Sequence, residues 1–119
     1  MEIHRIAPRA VQMHQKRGDR VLFFDSRRGR TWDLSCEQLP GAYRIPGEHL
    51  GQFLADVPHE AILILYGKDG CDEACEVEYG ILRTAGFPHV FVLDGGLDAW
   101  VEAGLSTEVK GGAEMAPTA

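Results

Sequence analysis

Ala61 to Tyr66 is an unbroken apolar run, followed by the glycine-bearing segment Gly67 to Cys71 and by a helical pattern that stops at Gly86. No other stretch limits the fold as much. A run that is apolar at every position has no side to turn toward water, so it reads as a strand buried on both faces, as parallel strands are. Val21 to Phe24 and Val90 to Leu93 read the same way. Each later run is followed by a loop and a helical pattern, and two parallel strands joined by one helix form a right-handed crossover unit.

Around these three runs the chain supplies weaker elements. Residues 2 to 6 suit a short edge strand, and Pro8 suits the first turn of a helix that Gly18 ends. Residues 26 to 38 are polar without helical or strand period and read as a surface loop. The Pro40-Gly41 turn leads into a short strand over Ala42 to Ile45. Leu50, Phe53, Leu54 and Val57 fall at helical spacing until Pro58. The helix after the Gly67 to Cys71 loop is expected to turn Ala74, Val77, Ile81 and Ala85 inward. Asp69 or Asp72 caps it, Glu73 and Glu76 sit at its positive end, and Gly86 takes the left-handed position beyond its last turn, with Leu82 against Phe87. A last helix, with Leu97, Trp100 and Val101 inward, ends at Gly104. The predicted fold class is therefore α/β, with a mostly parallel five-stranded sheet and helices on both faces, over residues 1–105. Residues 106–119 lack apolar period and are expected to be a disordered tail.

In open parallel sheets, ligands bind beyond the carboxyl ends of the strands. Asp25, the loop from Gly67 to Cys71, and Asp94-Gly95-Gly96 all fall there. Composition narrows the ligand. At 119 residues and 45% apolar the chain suits one globular domain, and a formal charge of -6 without basic runs argues against nucleic acid and anionic membrane. The start has no apolar signal core, no stretch approaches the roughly eighteen apolar residues of a spanning helix, and a cytoplasmic location is expected. Three cysteines, Cys36, Cys71 and Cys75, are an odd number for a disulfide framework and read as free thiols. Cys71-x3-Cys75 without a second matched pair is a poor zinc pattern, the five histidines are scattered, and the Gly95-Gly96 pair is too short for a dinucleotide site. No metal and no cofactor is expected.

Four fragments carry a resemblance to a known family, the rhodanese-like domains of single-domain sulfurtransferases, over roughly residues 5 to 105. Phe24-Asp25-Ser26-Arg27 is similar to its Asp-x-Arg after the first buried strand. Leu39-Pro40-Gly41-Ala42 with Ile45-Pro46 resembles its Ile-Pro-Gly-Ala and Ile-Pro pair, and Val92-Leu93-Asp94-Gly95-Gly96 with Trp100 resembles its C-terminal signature. The resemblance implies a loop whose backbone amides cradle a persulfide on a cysteine placed directly after the central strand's tyrosine. Here that position is Gly67. Asp72 and Glu73 stand where Arg and Ser often close the loop, and Glu37-Gln38 replaces a Gly-His pair.

Two readings of the chemistry follow. In the first, Cys71 replaces the missing nucleophile. It takes sulfur from a small donor or a protein persulfide, holds it among the amides of Gly67, Lys68, Asp69, Gly70 and Asp72, and passes it to a thiol acceptor, with Cys75 as a resolving thiol. A thiol at a helix entrance gains backbone N–H groups and the positive dipole end. The dipole contributes roughly 0.3–1 kcal/mol, less than the roughly 1.36 kcal/mol of one pKa unit. Residues 67 to 78 also carry five carboxylates and one cation, Lys68, a balance that raises a thiol's pKa and repels anionic thiosulfate. In the second reading the domain is inactive and binds a protein partner or an anion through the same loop. Phosphatase or arsenate-reductase chemistry is a weaker third reading, because no arginine closes the loop. Asp25 and Arg27 are expected to brace the adjoining loop, and Gly95 and Gly96 to allow the tight turn into the last helix.

Overall fold

The computed structural model describes residues 2–45 and 47–110. Its main sheet has the order β1 (Arg5–Ile6), β5 (Val90–Leu93), β4 (Ile62–Tyr66), β2 (Val21–Asp25), with every neighbouring pair parallel. The three apolar runs are thus its three long strands, and the strand from the second run is central because it is buried at all its positions.

Alternation along β4 divides the core. Leu63 and Leu65 face one layer with Phe24, Val90 and Val92, where α3 (Gly47–Leu54) supplies Leu50 and Leu54 and α4 (Glu73–Thr84) supplies Cys75, Tyr79 and Leu82. Ile62, Ile64 and Tyr66 face the other with Phe23 and Leu93, covered by Val11 of α1 (Pro8–Lys16) and by Leu97 and Trp100 of α5 (Gly96–Glu102). Helices therefore cover both faces, as expected for an α/β domain. Among the described residues no helix is long and apolar enough to cross a membrane.

Four expectations are corrected. The main sheet has four strands among the described residues, not five. The segment after the Pro40-Gly41 turn pairs with β2 only at Tyr43, through Asp25 N–H to Tyr43 O at 2.7 Å and Tyr43 N–H to Phe23 O at 2.8 Å. The stretch 26–38 is not all loop. It contains the short helix α2 (Gly29–Asp33), which buries no residue and so leaves no apolar period, and β3 (Glu37–Gln38).

The third correction concerns residues 106–110. Glu108–Val109 form β6, antiparallel to β3, and Lys110 N–H donates to Cys36 O at 2.9 Å. The Lys110 ammonium also sits 4.4 Å from the centre of the Trp32 ring. The partners are about seventy positions apart, which local pattern cannot show. The rest of the expected tail, 111–119, lies outside the described residues.

The fourth is the inward face of α4. Cys75, Glu78, Tyr79 and Leu82 are buried, while Val77 is 58% exposed and Ile81 is only partly covered. Likewise Val101 of α5 is exposed beside buried Trp100. The caps follow the sequence: Asp72 Oδ1 accepts from Cys75 N–H at 3.0 Å, and Gly86 takes φ +96°.

Candidate active site

The carboxyl ends of β2, β4 and β5 meet at one end of the sheet. From β2, Asp25 accepts from the Arg27 guanidinium at 2.7 Å (Nη2) and 3.0 Å (Nε), with both side chains buried. From β4, the Tyr66 hydroxyl donates to Asp25 Oδ2 at 2.7 Å and accepts from Leu39 N–H at 3.2 Å. Arg27 also donates to Glu37 O at 2.9 Å. Burial by itself favours loss of the Arg27 proton, but the Asp25 carboxylate outweighs it, and the guanidinium is held more firmly protonated than usual. Burial, then the Asp25 charge, pushes the Tyr66 phenol far above its ordinary range. Through Arg27 and Glu37 O the pair is tied to the 26–38 segment.

The loop from Gly67 to Asp72 is fastened to α5. Gly67 O accepts from Leu97 N–H at 2.9 Å and Lys68 O from Asp98 N–H at 2.8 Å. This needs a glycine at Gly96: its φ is +62°, and a Cβ there would lie 2.6 Å from Gly67 O. Gly95 precedes it as the N-cap of α5, at φ +77°. Within the loop, Gly67 N–H donates to Gly70 O at 3.1 Å, and a Cβ on Gly67 would stand 2.5 Å from that same carbonyl oxygen. Lys68 pairs with Asp98 at 3.0 Å across the surface, and that contact raises its pKa.

Between this loop and α2 lies a cleft of about 410 Å³, lined by Arg27, Thr31 and the residues from Gly67 to Asp72. It adjoins a hollow of about 400 Å³ bounded by Arg30, Ser35, Glu37, Leu97 and Asp98. Cys71 rims the cleft half-buried, its thiol donating weakly to Asp72 O at 3.8 Å. Burial raises its pKa most and Cys75 opposes it next; the weaker charges of Glu76 and Asp72 add to the rise and that of Arg5 opposes it. The amides of Lys68 to Cys71 donate to no acceptor among the described residues. Those of Gly67 and Cys75 are already committed, to Gly70 O and to the Asp72 cap.

The rhodanese-like domain model matches residues 7–103. The chain belongs to the rhodanese-like domain family. The fold is shared with solved rhodanese-like structures and others of the same architecture. A full-length protein from Lactobacillus plantarum is 21% identical with a TM-score of 0.72, covering 88% of this chain and 87% of that one. A protein from Anabaena sp. is 27% identical with a TM-score of 0.68, covering 87% and 79%. A thiosulfate sulfurtransferase from Pseudomonas aeruginosa is 23% identical with a TM-score of 0.68, covering 90% of this chain and 19% of that longer one. A search of curated proteins found no match.

In this rhodanese-like domain the structure brings Gly67, Lys68, Asp69, Gly70, Cys71 and Asp72 together on one rim with Arg27 opposite, and sets Gly95 and Gly96 behind the loop. Cys75 is set behind Cys71, fully buried. Cys36 is exposed and outside the cleft-lining set.

Sequence reasoning missed a buried polar cluster beneath the rim. Ser26 Oγ donates to Glu78 Oε1 at 2.7 Å, and Arg28 pairs with Glu78 Oε2. Burial raises the Glu78 carboxyl above its ordinary value, against the opposing pull of Ser26 and Arg28. Cys75, Glu78, Tyr79 and Leu82 do form a helical stripe in the sequence. A glutamate is rarely buried unless it is paired, however, and both partners lie about fifty residues away, so the stripe does not read as a core face.

Proposed function

We propose that this domain carries sulfane sulfur on Cys71. The observation that supports the reading most is the position of the thiol on the rim of the cleft at the carboxyl ends of the strands, beside loop amides without intramolecular acceptors. The Cys71 thiolate attacks the outer sulfur of a hydropersulfide donor. The donor's S–S bond breaks, and its thiolate leaves with the electron pair. An acceptor thiol then attacks the sulfur held on Cys71 and regenerates it. Each amide hydrogen bond to the charged sulfur is worth about 1.5–3 kcal/mol, enough for two of them to offset screened surface carboxylates.

The donor class follows from the charges. Asp69 and Asp72 line the cleft and the Glu76 charge reaches Cys71, while the cleft's two cations are engaged, Lys68 by Asp98 and Arg27 by Asp25. A dianion such as thiosulfate is repelled, so a neutral or protein-borne donor is favoured. The likeness to a thiosulfate sulfurtransferase from Pseudomonas aeruginosa supports sulfur transfer as the class of reaction. Mass spectrometry after treatment with a small hydropersulfide is expected to find one added sulfur on Cys71 and none in Cys71→Ala. An unchanged Cys71 with several donors overturns the proposal.

A second reading, a binding module without turnover, is favoured by one observation: the Gly70 carbonyl sits where a side chain at position 67 would begin. Under it, the wild type transfers no sulfur from any donor. Wild-type transfer abolished by Cys71→Ala excludes it.

A further inference from the structure

Cys71 and Cys75 differ in access but share one environment. Cys71 precedes α4 by a single capping residue and borders the cleft, whereas Cys75 has no exposed surface and belongs to the apolar cluster on which Cys71 packs. The turn between them is fixed at two points: Asp72 Oδ1 takes the Cys75 N–H at 3.0 Å, and Asp72 O takes the Glu76 N–H at 3.0 Å. The two thiols are close enough to perturb each other's ionisation. Burial first, and then the neighbouring Cys71, push the Cys75 thiol far above its ordinary range, so it reacts only with a sulfur brought directly against it.

A buried cysteine facing only hydrocarbon would be a packing residue. One packed in the cluster on which a half-buried rim thiol rests has the placement of a resolving thiol. We infer that Cys75 attacks the inner sulfur of a persulfide on Cys71, so that the domain reduces sulfane sulfur to sulfide as well as handing it on.

The inference rests on the proposed sulfur loading of Cys71. The bond from Cys75 Sγ to Cys71 Sγ forms as the bond from Cys71 Sγ to the outer sulfur breaks, and hydrosulfide leaves with the electron pair. The proton of Cys75 goes to the hydrosulfide or to solvent. The sulfane sulfur gains two electrons, and the two cysteine sulfurs lose them as they become a disulfide. A dithiol reductant then restores both thiols. Access sets the order of events: a donor in the cleft meets Cys71, and Cys75 meets sulfur only through it.

The test uses the full chain as Cys36→Ser, which leaves two thiols, with one equivalent of a small hydropersulfide and then dithiothreitol. Wild-type spacing should give a Cys71–Cys75 disulfide, seen by peptide mapping as the loss of two hydrogens, with release of sulfide before the dithiol is added. Cys75→Ser and Cys75→Ala should both accumulate the added sulfur on Cys71 and lose the early sulfide. Persulfide that accumulates equally with and without Cys75, with no disulfide in the parent, overturns the inference and leaves the sulfur-carrier reading standing. Absence of added sulfur on Cys71 in both the parent and the Cys75 variants, with no disulfide in the parent, overturns the carrier reading and the inference with it. Peptide mapping of the parent decides between these outcomes even if a Cys75 variant folds poorly.

Discussion

Replacing Gly67 with alanine tests whether the loop is as closed as its geometry indicates. The added Cβ would meet Gly70 O at 2.5 Å, far inside ordinary contact, so the carbonyl has to move and its hydrogen bond from Gly67 N–H at 3.1 Å lengthens or breaks. The loop cannot yield by sliding away from α5 without also straining the bonds from Leu97 and Asp98. Loss of one neutral hydrogen bond costs about 0.5–1.5 kcal/mol, and forcing an atom into a packed site costs about 1–3 kcal/mol. Reduced freedom of the unfolded chain returns about 0.4–1 kcal/mol. The net expectation is a destabilisation of about 0.5–4 kcal/mol. Gly70→Ala is the control: its Cβ meets nothing within 4 Å, and its backbone has no positive φ, so it should be neutral or slightly stabilising. Urea unfolding at equal slope measures both. If Gly67→Ala proves as stable as the wild type, the carbonyl moves freely, and the argument that position 67 has no room for a side chain fails.

Asp25→Asn should destabilise the fold by about 3–5 kcal/mol, because it leaves the Arg27 charge buried without its counter-ion. Tyr66→Phe should cost less, about 1–3 kcal/mol, by removing the hydroxyl that serves Asp25 and Leu39 N–H. Thermal or urea unfolding that ranks them in the reverse order refutes the bracing role. Glu78 gives a pH dependence. Its folded pKa is raised from 4.5, so between 4.5 and the raised value the native state keeps a proton that the unfolded chain has released. Its contribution is present in full below 4.5 and is lost as pH rises through the folded pKa. The stability of Glu78→Gln relative to wild type should therefore improve as pH is raised from 4.5 toward neutral; parallel stability curves would falsify the raised carboxyl.

The parts of the fold legible in the sequence are those that depend on neighbours within a few positions. An all-apolar run has no face to turn to water, so the runs at Val21, Ala61 and Val90 read as strands covered on both faces, although the first of them lies at an edge of the sheet. Their order along the chain put Asp25, the Gly67 to Asp72 loop and Gly95-Gly96 at one end of the sheet. Asp69 or Asp72, of which the structure uses Asp72, and Gly86 marked the ends of α4 for equally local reasons. The Asp25 and Arg27 pair was legible because its partners are two residues apart.

Tertiary structure alone decided the rest, wherever a residue's state depends on a partner far along the chain. Glu78 is buried and Val77 exposed because Ser26 and Arg28 arrive from β2's end to satisfy the carboxylate, which turns the helix face away from the one its aliphatic residues suggest. Glu37–Gln38 is a strand only because Glu108–Val109 returns to pair with it. The loop is the sharpest case. Sequence located it and identified its thiols, but the hydrogen bond that turns Gly70 O toward Gly67, and the packing that sets Cys75 behind Cys71, are properties of backbone path and contact that no local pattern encodes.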